Sequence, residues 1–225
     1  MHIPAWKRYL SYLVEIHLES ASSEYNPHLY VSMRRGRFQL STAHAVYSFE
    51  DLYTNFARAF ERCKLQELAG NEALVLGLGL GSIPYILEKK MGLDFHFTVV
   101  EIDAVIVDLA YRYTLKELHS PIDMICTDAE IFVSSTYQHY DLICMDVFVD
   151  DEIPGPFQQI EFLEQLRDLL EPGGLLLYNV LALRKTDRKK AERFYNQVFK
   201  TVFPNATFIE VEFNWVLVNE QALMN

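Results

Sequence analysis

The hydrophobic positions of this chain follow one period near its start and another through the rest. Up to about residue 47 apolar and polar residues alternate, which predicts strands at 12–18, 29–33 and 38–41. The last two read as a hairpin around Arg34-Arg35-Gly36-Arg37, where Gly36 supplies the turn. Ser48, followed by Glu50 and Asp51, has the pattern of a capped helix start. That helix is expected to run to about residue 64, with Phe49, Leu52, Tyr53, Phe56 and Phe60 on one core-facing stripe. From about residue 67, short aliphatic runs alternate with helical segments, which argues for a parallel sheet covered on both faces. Strands are expected at 74–76, 95–100, 123–126, 140–145 and 175–179, and helices at 82–90, 104–113, 157–170 and 185–203, with a short helix after 129. Two last strands, 206–213 and 215–218, are joined too tightly to be anything but antiparallel. The pattern predicts an α/β protein with a doubly wound, mostly parallel sheet over residues 67–225. A small β-hairpin appendage and a connecting helix precede it, over residues 1–66.

The chemistry concentrates where strands end. The strand beginning at Leu74 breaks into Gly77, Gly79 and Gly81, alternating with leucines, and a helix follows with Ser82 as its expected cap and Pro84 in its first turn. Glycines there permit positive φ and let a ligand approach the backbone. The next strand ends at Glu101-Ile102-Asp103. An acid about 20 positions past a glycine turn, at the tip of the second strand, is placed to accept the hydroxyls of a ribose. The two features together predict a nucleoside site, and a dinucleotide would satisfy them equally.

Composition removes several classes. Half of the 225 residues are hydrophobic, enough for one sizeable core. No apolar run reaches membrane-spanning length, and Met1-His2-Ile3-Pro4-Ala5-Trp6-Lys7-Arg8 lacks the pattern of a secretory signal, so a cytoplasmic protein is expected. A net charge of −11 argues against a nucleic-acid partner. Cys63, Cys126 and Cys144 are scattered without metal-ligand spacing; the last two lie in apolar strand contexts and are expected to be buried thiols.

A parallel sheet that ends in a hairpin resembles the class I S-adenosylmethionine-dependent methyltransferase fold. The run from Tyr140 through Asp146 and Asp150 to Pro154, then Glu161-Phe162-Leu163, Leu170-Glu171-Pro172-Gly173-Gly174 and Asn179, is similar to the spermidine synthase-like branch of that superfamily. Arg35-Gly36-Arg37-Phe38-Gln39-Leu40-Ser41-Thr42 resembles the N-terminal hairpin of the same branch. The resemblance implies a transferase using S-adenosylmethionine or its decarboxylated form. It places the glycine turn, Gly77, Gly79 and Gly81, on the cofactor, the first two behind its amino-acid end. It puts Glu101 on the ribose, Ile102 against the adenine, and Asp128, beside Ala129, on the exocyclic amine. Asp146 matches the catalytic aspartate, Gln39 would cover the cofactor, and a homodimer is implied.

Departures from the branch bear on the acceptor. Aminopropyl-transferring members carry an aspartate where this chain has Leu80, and that carboxylate repels the carboxylate of S-adenosylmethionine. Their acidic pair after the hairpin falls near His44 and Ala45, and their second loop aspartate falls on Val149, or on Asp150 if a residue is inserted. His44 and Asp150 are therefore the substrate-side candidates, and the loop 147–156 is a candidate lid. Methyl transfer to a small acceptor, an amine among the candidates, is the favoured expectation. Polyamine aminopropyl transfer and a non-catalytic nucleoside-binding protein are the alternatives.

Overall fold

The computed structural model describes residues 4–43, 45–149 and 152–225. A short helix, α1 (Ala5–Leu10), leads into a four-stranded antiparallel sheet of β1 (Ile16–Ala21), β2 (Leu29–Arg34), β3 (Arg37–Ser41) and β4 (Val46–Ser48). Strands β2 and β3 form the predicted hairpin, with Arg35 and Gly36 both at positive φ, the requirement of a tight two-residue turn. The strand expected at 12–18 begins later. Residues 11–14 instead dock under the hairpin turn, where Ser11 Oγ accepts from Gly36 N at 2.8 Å and Ser11 O accepts from Arg35 N at 2.8 Å. Tyr12, Leu13 and Val14 stay exposed there.

Ser48 is not a helix cap. It ends β4, its hydroxyl 2.8 Å from that of Ser82. A single 3-10 turn, Glu50–Leu52, intervenes before α2 (Thr54–Glu61), which ends sooner than expected. Phe56 and Phe60 are fully buried, as the stripe predicts.

The main sheet holds β5 (Glu72–Leu76), β6 (His96–Glu101), β7 (Ile122–Cys126), β8 (Tyr140–Met145), β9 (Leu170–Leu181), β10 (Thr207–Val211) and β11 (Asn214–Val218), in the order β10-β11-β9-β8-β5-β6-β7. Strand β11 runs antiparallel to both neighbours and every other pairing in the sheet is parallel, so the sheet is parallel with one reversed strand next to its edge. Strand β9 starts at Leu170 and carries the Pro172-Gly173-Gly174 turn inside its span.

Helix α3 (Ser82–Tyr85), continued by a wide turn to Lys90, follows β5; α4 (Ala104–Tyr113) follows β6 and α5 (Ala129–Ser135) follows β7. Phe157 sits in a 3-10 turn, and α6 (Ile160–Asp168) begins three residues beyond it. The basic helix is α7 (Lys185–Phe194), a wide turn at Tyr195–Phe199, and α8 (Lys200–Val202). Val75, Val99 and Cys144 pack with α2 and α3 on one face of the sheet, while Leu74, Leu76 and Ile143 pack with α5 and α6 on the other. Two buried faces account for the unbroken aliphatic runs. Cys144 is buried as expected, but Cys126, at the end of edge strand β7, is exposed.

A third cluster joins the two sheets, and Leu80 is in it. Leu80 is fully buried with Leu29, Val31, Leu40, Ile106 and Leu109, so it is a packing residue between appendage and main sheet. Leu80→Asp would place an unpaired carboxylate in that cluster and is expected to cost at least ~3 kcal/mol. Chemical denaturation measures this directly, and a variant as stable as the parent would mean that Leu80 can turn outward.

Candidate active site

A cavity of about 580 Å³ opens at the C-terminal ends of β5 to β9. Its floor is the glycine turn. Gly77 has φ +87°, and a Cβ there would lie 2.4 Å from the Asp146 carbonyl oxygen. Gly79, at φ +53°, faces the appendage, where a Cβ would lie 2.7 Å from Ser48 Cβ and 2.9 Å from Tyr47 O. Gly81, at φ +88°, abuts Leu115 and stands as the cap residue of α3. Ser82, the expected cap, accepts instead from Phe49 N at 3.0 Å. The glycines are thus required by neighbouring protein atoms as well as by the open floor; Gly77 and Gly79 line the cavity, whereas Gly81 lies behind it.

Glu101 holds this turn. One carboxylate oxygen accepts from Leu78 N and the other from Asp103 N, each at 3.0 Å. Burial raises the Glu101 pKa against these donors. Asp103 is almost fully buried, and its two oxygens act in opposite directions. One caps α4 through Val105 N at 3.0 Å, and the other accepts from Ser23 Oγ and from Asn26 Nδ2. Asn26 Oδ1 in turn accepts from Tyr47 OH at 3.1 Å. Asn26 and Tyr47 also line the cavity, so the buried acid beside Glu101 seats its roof.

Ile102, Asp128 and Ala129 line the same end. Asp128 Oδ1 caps α5 by accepting from Glu130 N at 2.7 Å, which leaves Oδ2 without a partner among the described residues. Gln39 is buried on β3 opposite Ser32 and is not among the described residues lining the cavity. His44 and Asp150 lie outside the described residues.

Across the cavity stands Asp146, at the tip of β8. Its Oδ1 accepts from Asn179 Nδ2 at 2.8 Å and from Tyr53 OH at 3.2 Å. Asn179 Oδ1 accepts from Asn214 Nδ2 at 3.0 Å, fixing the amide so that its NH₂ faces the acid. Enclosure raises the Asp146 pKa to about 7, although Asn179 and Tyr53 oppose the shift. Oδ2 has no partner among the described residues, so a carboxylate with one oxygen held and one available stands beside the floor. Tyr53, Asn55, Asn214 and Arg184, all on the lining, are absent from the sequence-derived candidates. The signal for Tyr53 is its hydroxyl, the one polar tip on an aromatic stripe.

Asp146 also sets a pH dependence of stability. Its folded pKa lies above the unfolded value near 4, so the native state keeps this proton to higher pH than the unfolded chain. Stability is therefore lost as pH rises from about 4 through about 7. Asp146→Asn, which preserves an acceptor for Asn179, is expected to recover on the order of 2 kcal/mol at pH 8 relative to pH 5. Urea unfolding at both values checks this. Equal slopes with pH in parent and variant would contradict it, and Glu50, also raised to about 7, supplies the residual slope.

Comparison with known proteins follows the same lines. Residues 69–218 match the family model described as the spermine/spermidine synthase domain. A polyamine aminopropyltransferase of Vibrio vulnificus is 30% identical over 160 residues, covering 67% of this chain and 52% of that protein. An N-terminal histidine N-methyltransferase of Emericella nidulans is 38% identical over 117 residues, covering 49% of this chain and 20% of its own length. The chain spans about half, or less, of the curated relatives it matches. Among solved structures, a probable spermidine synthase from Corynebacterium glutamicum superposes with a TM-score of 0.73 at 21% identity, covering 89% of this chain and 78% of that one. Human methyltransferase-like protein 13, in complex with SAH, superposes with a TM-score of 0.60 at 21% identity, covering 74% and 79%. Both likenesses establish the Rossmann-like methyltransferase fold.

Proposed function

Because the chain belongs to the spermine/spermidine synthase domain family, we propose that it is a transferase that moves a methyl group from S-adenosylmethionine to an amine. The residues suit such a nucleoside. Glu101 presents two oxygens whose remaining lone pairs match a ribose diol, Ile102 offers an apolar surface for a base, and Asp128 Oδ2 is available to an exocyclic amine. When bound, the group supplies a carbon activated by its attachment to a sulfonium.

The chain's own task is alignment and proton removal. An amine must lose a proton to act as nucleophile, and a carboxylate with a pKa of about 7 is matched to that task near neutral pH. Asn179 and Tyr53 hold one oxygen of Asp146, which directs the other at the acceptor nitrogen. Transfer would form the new N–C bond at the expense of the C–S bond, whose electron pair would stay with sulfur as a neutral thioether, and Asp146 would take the acceptor proton. Held geometry supplies most of the rate.

One observation favours methyl over aminopropyl transfer. On the side of Asp146, the described lining holds no second carboxylate; it includes Asn55, Asn179, Asn214, Leu181, Phe213 and Arg184. The remaining lining carboxylates, Glu101, Asp128 and Glu130, belong to the β6 and β7 end. A polyamine acceptor carries a second ammonium, which that neutral-to-cationic wall leaves unpaired. The aminopropyl reading keeps the support of the Vibrio relative.

Thermal melting with four ligands separates the readings: S-adenosylmethionine, S-adenosylhomocysteine, decarboxylated S-adenosylmethionine and methylthioadenosine. At about 100 times its Kd a ligand adds roughly 2.7 kcal/mol. Stabilisation chiefly by the first two is expected; stabilisation chiefly by the last two would establish aminopropyl transfer. No response to any of the four would remove the transferase reading. With an amine acceptor, kcat/KM is expected to rise with pH through about 7. Asp146→Asn is expected to lower it roughly 10²–10⁴-fold and to abolish that rise.

A further inference from the structure

The acceptor side of the cavity carries a cation that the reaction above does not use. Arg184 lines the cavity at the start of α7, next to the apolar Leu183 and two residues past Ala182, whose N–H donates to Phe213 O; Leu183 and Phe213 are both exposed. Its backbone N–H is taken by Asp187, but no described carboxylate forms an ion pair with its guanidinium. Arg184 opens the most basic stretch of an acidic chain. Residues 184–193 contain Arg184, Lys185, Arg188, Lys189, Lys190 and Arg193 against only Asp187 and Glu192, whereas the whole chain has a net charge of −11. Within that stretch Arg188 is turned onto the Ala182 carbonyl and Lys190 reaches Glu152, while Arg184 remains on the cavity wall.

Resting on the amine-transfer reading, we infer that Arg184 is the anchor for an anionic group of the acceptor, which is therefore an amine that also bears a carboxylate. The chain runs along the lining in a matching order. Asn179 touches Asp146, which would take the amine; Leu181 and Leu183 follow with apolar surface for a short aliphatic linker, and Arg184 comes last, at the start of α7. A guanidinium presents a fork that pairs with both oxygens of a carboxylate, and the cations of α7 raise the local potential that draws such a ligand in. The same guanidinium repels the distal ammonium of a diamine. Two sources share this chemistry, a free ω-amino acid and the acidic end of a peptide.

The test uses probes of equal length. With S-adenosylhomocysteine saturating, binding of 4-aminobutanoate and of putrescine is measured by calorimetry, alongside a short peptide with a free amine followed by acidic residues. The carboxylate-bearing probes are expected to bind at least about tenfold more tightly than putrescine, and to weaken with added salt. Binding by 4-aminobutanoate assigns a small acceptor, and binding by the peptide alone assigns a polypeptide one. Arg184→Gln is expected to erase the preference, Arg184→Glu to reverse it, and Arg184→Lys to restore it in part, each leaving the S-adenosylhomocysteine Kd within about twofold. Tighter binding of putrescine, no binding by either carboxylate probe, or an unchanged preference in Arg184→Gln would overturn the assignment. A large loss of S-adenosylhomocysteine affinity in Arg184→Gln would also overturn it, by moving Arg184 to the cofactor. Failure of the parent protein to bind S-adenosylhomocysteine would be a failure of the transferase reading itself, seen before any acceptor is added.

Discussion

The site depends on how closely two strand ends approach each other. Leu76 O accepts from Asp146 N at 2.8 Å, and one residue on, the missing Cβ of Gly77 lets the Asp146 carbonyl pass where a methyl group would lie 2.4 Å away. Any larger residue must both adopt φ near +87° and push the tip of β8 aside. The contact fixes where Asp146 leaves the sheet, directly against the glycine turn. On the other side, Gly77 N donates to Val100 O at 2.9 Å, and Glu101 then takes the Leu78 amide. Three strand tips are locked to one turn, and the cavity is the space that remains above them.

The appendage is bound into this arrangement through Asp103, through Glu19, which accepts from Arg112 and Tyr113, and through the Ser48–Ser82 contact. Asp103 spends one oxygen on α4 and the other on Ser23 and Asn26, so the segment that carries Glu101 also seats the roof that carries Tyr47. A cluster of aliphatic side chains, Leu80 among them, supplies the contact area beside these polar links. Hydrogen bonds to a buried carboxylate specify an orientation that apolar packing does not. The burial that drives the two sheets together is non-directional, and the Asp103 network, with the Glu19–Arg112 pair and the Ser48–Ser82 contact, orients the roof over the floor.

What could be read from the sequence follows from how local each signal is. The β2–β3 hairpin, α4 and β8 fall where their patterns place them, because turn glycine, helical period and aliphatic run are written in adjacent residues. The positions of Asp146, Glu101 and Asp128 at strand tips follow from the same logic. Ser48 and Ser82 read as helix caps, yet each meets the other across 34 positions, a tertiary contact with no local trace. Leu80 shows the limit most clearly. In Gly77-Leu78-Gly79-Leu80-Gly81 the two leucines have indistinguishable neighbours, and only the sequence of left-handed φ values sends Leu78 into the main-sheet core at the edge of the cavity and Leu80 into the cluster under the appendage.

Asp146 shows why the polar part of the site is the harder part to read. Its environment is assembled from the residue that precedes α2, from β9 and from the first residue of β11, three segments with nothing in common in the sequence. Each gives a neutral donor or orients one. A cationic partner would have held the carboxylate ionised at low pH and left it a poor base, whereas two neutral donors offset only part of the cost of enclosure and leave the pKa near 7. The same neutrality shapes the acceptor wall. With charge on Asp146 already expensive and no second carboxylate beside it among the described residues, a ligand brings the positive charge that the acid lacks at only one end. On the proposed reading its other end would meet Arg184. On the amine-transfer reading, selectivity for the acceptor would be set on one wall by a carboxylate that is costly to ionise, by apolar side chains and by the Arg184 guanidinium.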